Sequence, residues 1–208
     1  MLKKLKFLNC FKKLNKDPAV HGIIVQLPLS DPAQTEEIVE MVAADKDVDA
    51  LGSQATFEPA TPLAIMWLLS GYNVELNGRH ILLVGRGKLV GRPLEKILKD
   101  SGQDVEMIGR DSDLAERVSA ADIIITATGS AGSIHADMIK QDAVVVDAGV
   151  ASEAGKTVGD LAPDVYERDD LTITPTKGGV GPLTVCALFE NVIVAARRVA
   201  ENKVTNKV

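Results

Sequence analysis

The eleven residues Thr174-Pro-Thr-Lys-Gly-Gly-Val-Gly-Pro-Leu-Thr184 hold three glycines and two prolines, a composition that fits neither a helix interior nor a strand interior. They stand between an apolar run, Leu171–Ile173, and a long apolar segment from Leu183 onward. A strand, a glycine-rich turn and a helix with proline near its first turn is how α/β proteins bring bare backbone against a ligand. A tight turn needing positive φ would account for one or two of these glycines, and not for the whole string.

A second constellation is Ile81-Leu-Leu-Val-Gly85-Arg-Gly87-Lys-Leu-Val-Gly91-Arg-Pro93. An apolar strand runs into three glycines and then a helix start, so that Gly85, Gly87 and Gly91 could let backbone N–H groups hold a pyrophosphate with help from the helix dipole. The spacing is GxGxxxG rather than the common GxGxxG, and a plain βα turn is the alternative. The next strand ends at Met107-Ile-Gly-Arg110, where an NAD-binding fold usually carries an acid for the ribose hydroxyls. None stands at the strand end itself, although Asp111 follows Arg110. Arg86 and Arg110 could instead pair with a 2′-phosphate, which favours NADP over NAD; a solvated surface is the other reading of each.

Thr126-Ala-Thr128-Gly129 and Asp147-Ala-Gly149-Val150 end two further apolar runs. Small residues at the carboxyl ends of parallel strands are where a dinucleotide crosses a sheet, which marks Thr128, Gly129 and Val150. Near the N-terminus, Gln26 lies between Val25 and Leu27, so its amide is either buried with a partner or turned to a cleft. Asp49 closes a run of charged residues, and on its own reads as a solvated loop acid. His21, His80 and His135 form no pattern with a serine or cysteine nucleophile.

The elements that would position these residues follow from periodicity. Leu2, Leu5, Leu8, Phe11 and Leu14 recur at helical spacing, with lysines on the solvated face. Gly22–Leu29 suits a strand buried on both faces, and Asp31-Pro32 opens a helix as N-cap and first position. Residues 45–62 read as loop, followed by an apolar helix over Leu63–Leu69. From His80, strand-like runs at Ile81–Val84, Val105–Ile108, Ile123–Thr126, Val144–Val146 and Leu171–Ile173 alternate with helical patterns at Pro93–Asp100, Leu114–Ala120 and Ala136–Lys140. The alternation predicts an α/β fold, a Rossmann-type doubly wound parallel sheet with a smaller α/β N-terminal lobe. The boundary is placed near residue 70, giving lobes 1–70 and 71–208, with the last helix, about 183–201, long enough to return to the first lobe.

Composition narrows the function classes. A net charge of −6 over 208 residues argues against phosphate-backbone binding, and 3% aromatics against base stacking, so no nucleic-acid partner is expected. No run is read as reaching the length of a membrane span, and the basic N-terminus lacks the apolar core of a targeting peptide. Cys10 and Cys186 read as buried or idle thiols of a reducing compartment, which points to the cytoplasm. Three histidines and two cysteines in no ligand spacing predict no metal site.

With these pieces in order, the chain resembles the bifunctional methylenetetrahydrofolate dehydrogenase/cyclohydrolase family. Three strings carry the resemblance: Asn15-Lys-Asp-Pro-Ala-Val-His-Gly-Ile-Ile-Val-Gln-Leu-Pro-Leu29, then Gly85-Arg86 with Val90-Gly91-Arg-Pro93, then Gly178-Gly-Val-Gly-Pro-Leu-Thr184. Lys46-Asp-Val-Asp49, Pro59-Ala-Thr-Pro62 and Val158-Gly-Asp160 fall in the expected order between them. The resemblance implies a folate cleft, NADP on the second lobe, oxidation of 5,10-methylenetetrahydrofolate and hydrolysis of the methenyl product to 10-formyltetrahydrofolate. It implies one-carbon metabolism serving purine biosynthesis, and a homodimer.

By matching position, Gln26 and Asp49 belong to the catalytic centre, and Leu27, Pro28, Gly181 and Pro182 join them in binding the folate. Thr184 joins the cofactor residues. The chain also departs from the family pattern: Gly87 replaces a usual serine, Ala50 a usual glycine, Ile108-Gly109 a usual His-Ser, and Lys177 a usual proline. The family's catalytic tyrosine and lysine have no counterpart, since Tyr72 and Tyr166 lie in other segments. These 208 residues are therefore expected to hydrolyse poorly and to oxidise weakly, a general acid/base being worth about 10²–10⁴-fold in rate. A non-catalytic NADP- or folate-binding module is the alternative.

Overall fold

The structure, a computed structural model, describes residues 2–109, 113–153 and 156–205. The chain divides into two compact units, residues 1–60 with 185–208, and residues 61–184.

The first unit opens with α1 (Leu2–Lys16). Phe11 is buried and stacks on Phe7 at 6.1 Å between ring centroids. Lys13 and Lys16 lie in the last turn, where positive charge suits the helix dipole. The helix end is finished from far along the chain. Lys46 Nζ donates to the carbonyls of Leu14 and Asp17 at 3.0 and 2.8 Å, and the Asn15 amide bonds Met41 O and Ala43 N. Lys46 is 8% exposed, so a buried ammonium does the work of a C-cap.

Residues 22–29 form no strand, against expectation. Only Ile23 bridges, parallel to Asp47, and exposure alternates: Ile23 and Val25 are buried while Ile24 and Gln26 are exposed. One face of the segment packs with Phe11, Ile38, Val39 and Val42, and no strand covers the other among the described residues. Leu27-Pro28 is a cis peptide. Asp31 caps as expected, its Oδ1 accepting from Ala33 N at 3.2 Å, ahead of a 3₁₀ turn at Pro32–Gln34 and the short α2 (Thr35–Val39).

The second unit carries α3 (Ala60–Gly71) and a five-stranded parallel sheet. In chain order come β1 (Ile81–Val84), α4 (Gly91–Asp100), β2 (Val105–Ile108), α5 (Leu114–Ala120), β3 (Ile123–Thr126), β4 (Val144–Asp147), the antiparallel pair β5 (Ala151–Glu153) and β6 (Lys156–Val158), and β7 (Thr172–Ile173). Sheet order is β2-β1-β3-β4-β7. Ile81 and Leu83 face a cluster with α3 and α4, while Leu82 and Val84 face one with α5 and Val165. Burial on both faces is why these strands read as unbroken apolar runs. The chain winds one way from β1 to β2 and the other from β3 onward, so the switch point lies between β1 and β3, where ligands bind in such sheets.

The last helix, α6 (Val180–Thr205), begins three residues earlier than the sequence suggested. Gly181 and Pro182 fall in its first turn, where backbone N–H groups have no helical partner to lose. Residues Val180–Asn202 have the length and apolar composition of a membrane span, at mean hydropathy 1.4, contrary to the expectation that no run reaches it. In the first unit, however, Ala187, Asn191 and Ala195 are buried, and the Asn191 amide donates to Val48 O and Glu58 O at 2.9 Å each. Both cysteines are free and exposed, which sets aside the buried one of the two readings.

Candidate functional site

In the first unit, Ile23 N donates to Lys46 O at 2.7 Å, so the segment bearing Gln26, Leu27 and Pro28 runs beside the turn bearing Asp49. Gln26 is exposed and its amide donates to Leu27 O at 2.9 Å, the outward of the two alternatives. Asp49 is half-buried with no hydrogen-bond partner among the described residues. Burial pushes its carboxyl above the usual range, and the charge of Asp47 adds to the rise. Asp47 differs, being buried with Oδ2 accepting Gly52 N at 2.7 Å; burial raises it too, against several backbone donors. A half-desolvated carboxylate without donors is primed for a ligand that brings N–H groups. Ala50 has φ +55°, the left-handed region, which is why glycine suits this position.

In the second unit the glycine turn sits at the switch point. Gly85 has φ +123°, and a Cβ there would lie 2.6 Å from Ala127 O. A Cβ on Gly91 would lie 1.9 Å from Gly85 O, so α4 starts directly on the turn. No side chain caps α4 at Val90; Arg92 N donates to Gly87 O at 3.1 Å, Leu94 N donates to Val90 O at 2.9 Å and Pro93 has no N–H, which leaves the Gly91 N–H as the backbone donor at the helix start. Gly87 has open space around its α-carbon, so nothing structural demands a glycine there. Arg86 reaches the end of β2, its Nη2 donating to Met107 O at 3.2 Å and its side chain lying over Gly109. Arg110 lies outside the described residues.

Thr128 and Gly129 follow β3, with Gly129 at φ +65° against Val150 O. Val150 is 73% exposed at the same edge of the sheet. Gly181 and Pro182 line a cavity of about 550 Å³ with Asp147, Val150, Tyr166 and Lys177. Thr184 bonds back to Val180 O at 3.2 Å and faces Thr61 Oγ1 at 3.5 Å.

Two acids that the sequence reading left without roles tie this edge together. Asp160 is fully buried; Oδ2 accepts Thr126 Oγ1 and Thr128 N, both at 2.6 Å, and Oδ1 accepts Ser130 N at 2.9 Å. Asp147 Oδ1 accepts Gly149 N and Asp160 N at 2.9 and 3.1 Å, and Oδ2 accepts Leu161 N at 3.1 Å and Tyr166 OH at 3.5 Å. Burial raises the Asp147 carboxyl, against three backbone donors, and pushes the Tyr166 hydroxyl up to about 12. The signal was a mirrored pair in the sequence, Asp147-x-Gly149 and Gly159-Asp160. A Cβ on Gly149 would meet the Asp160 carboxyl at 2.2 Å, and one on Gly159 the Asp147 carboxylate at 2.0 Å.

A family model described as the tetrahydrofolate dehydrogenase/cyclohydrolase NAD(P)-binding domain matches residues 59–200, and the catalytic-domain model of the same family matches residues 2–49. The chain belongs to the tetrahydrofolate dehydrogenase/cyclohydrolase family. Among its relatives, a bifunctional protein FolD of Methanosphaerula palustris is 40% identical over 202 residues, spanning 92% of this chain and 72% of that protein. One from Bacillus velezensis is 38% identical over 208 residues, spanning 95% and 74%. Among solved structures, the FolD dehydrogenase/cyclohydrolase of Campylobacter jejuni superposes with a TM-score of 0.84 at 36% identity, over 93% of this chain and 73% of that one. The Trypanosoma brucei enzyme, solved with NADP cofactor and an inhibitor, gives 0.86 at 30% identity, over 94% and 73%. The expected family and the Rossmann-type α/β fold are thereby established for this chain.

Proposed function

We propose that the chain oxidises 5,10-methylenetetrahydrofolate with NADP and opens the methenyl product to 10-formyltetrahydrofolate. The observation that carries this reading is the uncapped N-terminus of α4, seated on the Gly85–Gly91 contact at the switch point of the sheet. The Gly91 N–H and the positive dipole end of α4 suit a phosphate, because no side chain competes at the helix start. Gly85, Gly87 and Gly91 would let the phosphates approach, Thr128, Gly129 and Val150 would border the nicotinamide ribose, and Thr184 closes the set. Arg86, whose Nη2 reaches Met107 O at the end of β2, would pair with a 2′-phosphate, which supports NADP, with Arg110 as its proposed partner.

When bound, NADP supplies the acceptor for a hydride from the folate methylene carbon. Asp49 would accept the N–H groups of the pterin, satisfying a carboxylate that otherwise lacks donors. Gln26, Leu27 and Pro28 in the first unit, and Gly181 and Pro182 in the second, are each proposed to bind the folate, whose methylene carbon must be oriented for hydride transfer. Addition of water to the methenyl cation yields 10-formyltetrahydrofolate and releases a proton. Cytoplasmic location and a homodimer belong to the same reading, the latter supported by the exposed Val185, Phe189 and Ile193 along α6.

Titrating the 208-residue chain with NADP, NAD and a folate analogue, then following reduced cofactor and methenyltetrahydrofolate separately, tests the reading. NADP binding tighter than NAD by tenfold or more, with cofactor reduction on adding methylenetetrahydrofolate, is the expected result. Failure to bind either nucleotide would refute it. Binding of both ligands without turnover would favour the non-catalytic module, and the rate of methenyl loss decides whether hydrolysis by these residues is weak.

A further inference from the structure

Asp160 lies fully buried behind the loops at the carboxyl edge of the sheet, where no ligand can touch it. Its carboxylate nevertheless takes all three of its bonds from one short segment: the Thr126 hydroxyl, Thr128 N and Ser130 N. Between the last two sits Gly129 at φ +65°, where an added Cβ would lie 3.4 Å from Val150 O. A charged acceptor spanning two backbone donors is among the stronger and more directional ways to hold a loop. Asp147 does the same for the next loop, binding Gly149 N while also holding Asp160 N and Leu161 N. The two loops proposed to border the nucleotide are thus shaped by acids from behind, and Asp160 itself enters from the return of the β5–β6 pair.

We propose that Asp160 is the positioning residue of the dinucleotide site: it sets the shape of Thr126–Ser130, and with it nucleotide affinity, without contacting the nucleotide. This rests on the NADP reading above. Asparagine at this position keeps the size but turns one terminal atom into a donor. With its oxygen toward Thr126 and Thr128, the new NH₂ faces Ser130 N. With the amide reversed, it faces Thr128 N. In the first case Ser130 N faces a donor and keeps only Thr128 Oγ1, at 3.0 Å; in the second Thr128 N loses its carboxylate acceptor; either way the hold on the Gly129 bend weakens.

The test compares wild type, Asp160→Asn and Thr126→Val by titration with NADP and with a folate analogue, alongside thermal unfolding. Val replaces Thr126 without change of shape and removes a single donor to Asp160 Oδ2. The expected result is an NADP dissociation constant raised roughly tenfold in Asp160→Asn and about threefold in Thr126→Val, with the folate-analogue constant unchanged. In any turnover assay the loss should fall on the NADP KM, with kcat recovered at saturating NADP. Unchanged NADP affinity in a folded Asp160→Asn, or equal weakening of both ligands, would overturn the proposal. If that variant does not fold, Thr126→Val decides: threefold weaker NADP supports the proposal and unchanged affinity overturns it. Wild type failing to bind NADP would sink the NADP reading itself, a result distinct from wild type binding and the variants matching it.

Discussion

Gly91→Ala puts a methyl group where the fold has no room for one. The new Cβ would stand 1.9 Å from Gly85 O and 2.9 Å from the Gly85 carbonyl carbon, both backbone atoms. Gly85 cannot simply retreat: its N donates to Ile108 O at 2.9 Å, and its own Cα faces Ala127 O. The turn and the start of α4 must therefore separate by roughly 1 Å, an overpacking that typically costs about 1–3 kcal/mol. Replacing glycine inside a helix returns about 0.8–1 kcal/mol, so the net loss of stability is about 0–2 kcal/mol.

Binding suffers more, because the displaced group is the Gly91 N–H proposed to meet a phosphate. Losing one hydrogen bond to a charged group costs about 1.5–3 kcal/mol, so NADP affinity should fall at least about tenfold. Calorimetric titration with NADP beside thermal unfolding reads both quantities. Gly71→Ala is the control, since Gly71 ends α3 with nothing within 4 Å of the added Cβ; it should leave NADP affinity unchanged. A Gly91→Ala chain that binds NADP within threefold of wild type would refute the assignment of this turn.

Asp49→Asn should weaken a folate analogue about tenfold or more while leaving NADP untouched, as separate titrations would read. The same substitution should stabilise the folded chain at neutral pH. The Asp49 carboxyl is raised from 3.8, so its contribution to stability is full below that value and is lost as pH rises through the raised folded value; unfolding midpoints of the two chains should converge in acid and diverge above it. Lys46→Met should lower the free energy of unfolding by about 1–3 kcal/mol, read as a lower midpoint of chemical unfolding, because the carbonyls of Leu14 and Asp17 lose their charged donor; an unchanged midpoint would refute the capping role. Ala50→Gly should change stability by less than about 1 kcal/mol: relief of the left-handed alanine is offset by the freer unfolded chain and the lost methyl contact beside Val48 and Phe57.

The sheet was legible because each strand is its own evidence. Ile81–Val84, Ile123–Thr126 and Val144–Val146 are buried on both faces, so composition alone marks them. The same logic failed at Gly22–Leu29, whose apolar run looks identical locally; a strand needs neighbours, and a lone bridge to Asp47 leaves every second residue exposed. The glycine turn could be read because glycine types report backbone geometry directly. Lys46 could not, since its partners lie 29 and 32 residues away and a buried ammonium looks like any other lysine in sequence. Asp160 was hidden for the same reason, its three donors being 30–34 residues upstream. Gln26 remained ambiguous because alternation within one short segment does not say which face is covered.

The mirrored acids and glycines have a consequence for how this sequence can vary. Gly149 leaves space that the Asp160 carboxyl occupies, and Gly159 leaves space that the Asp147 carboxyl occupies. Enlarging either glycine alone collides with an acid, while shortening either acid alone strands the amides that it serves. Neither first step toward a different arrangement is tolerated, even where the finished double replacement would pack. The four positions therefore drift as one inherited character: substitutions there should be strongly epistatic, each pair tolerated together and deleterious singly, whatever happens at the surrounding sites.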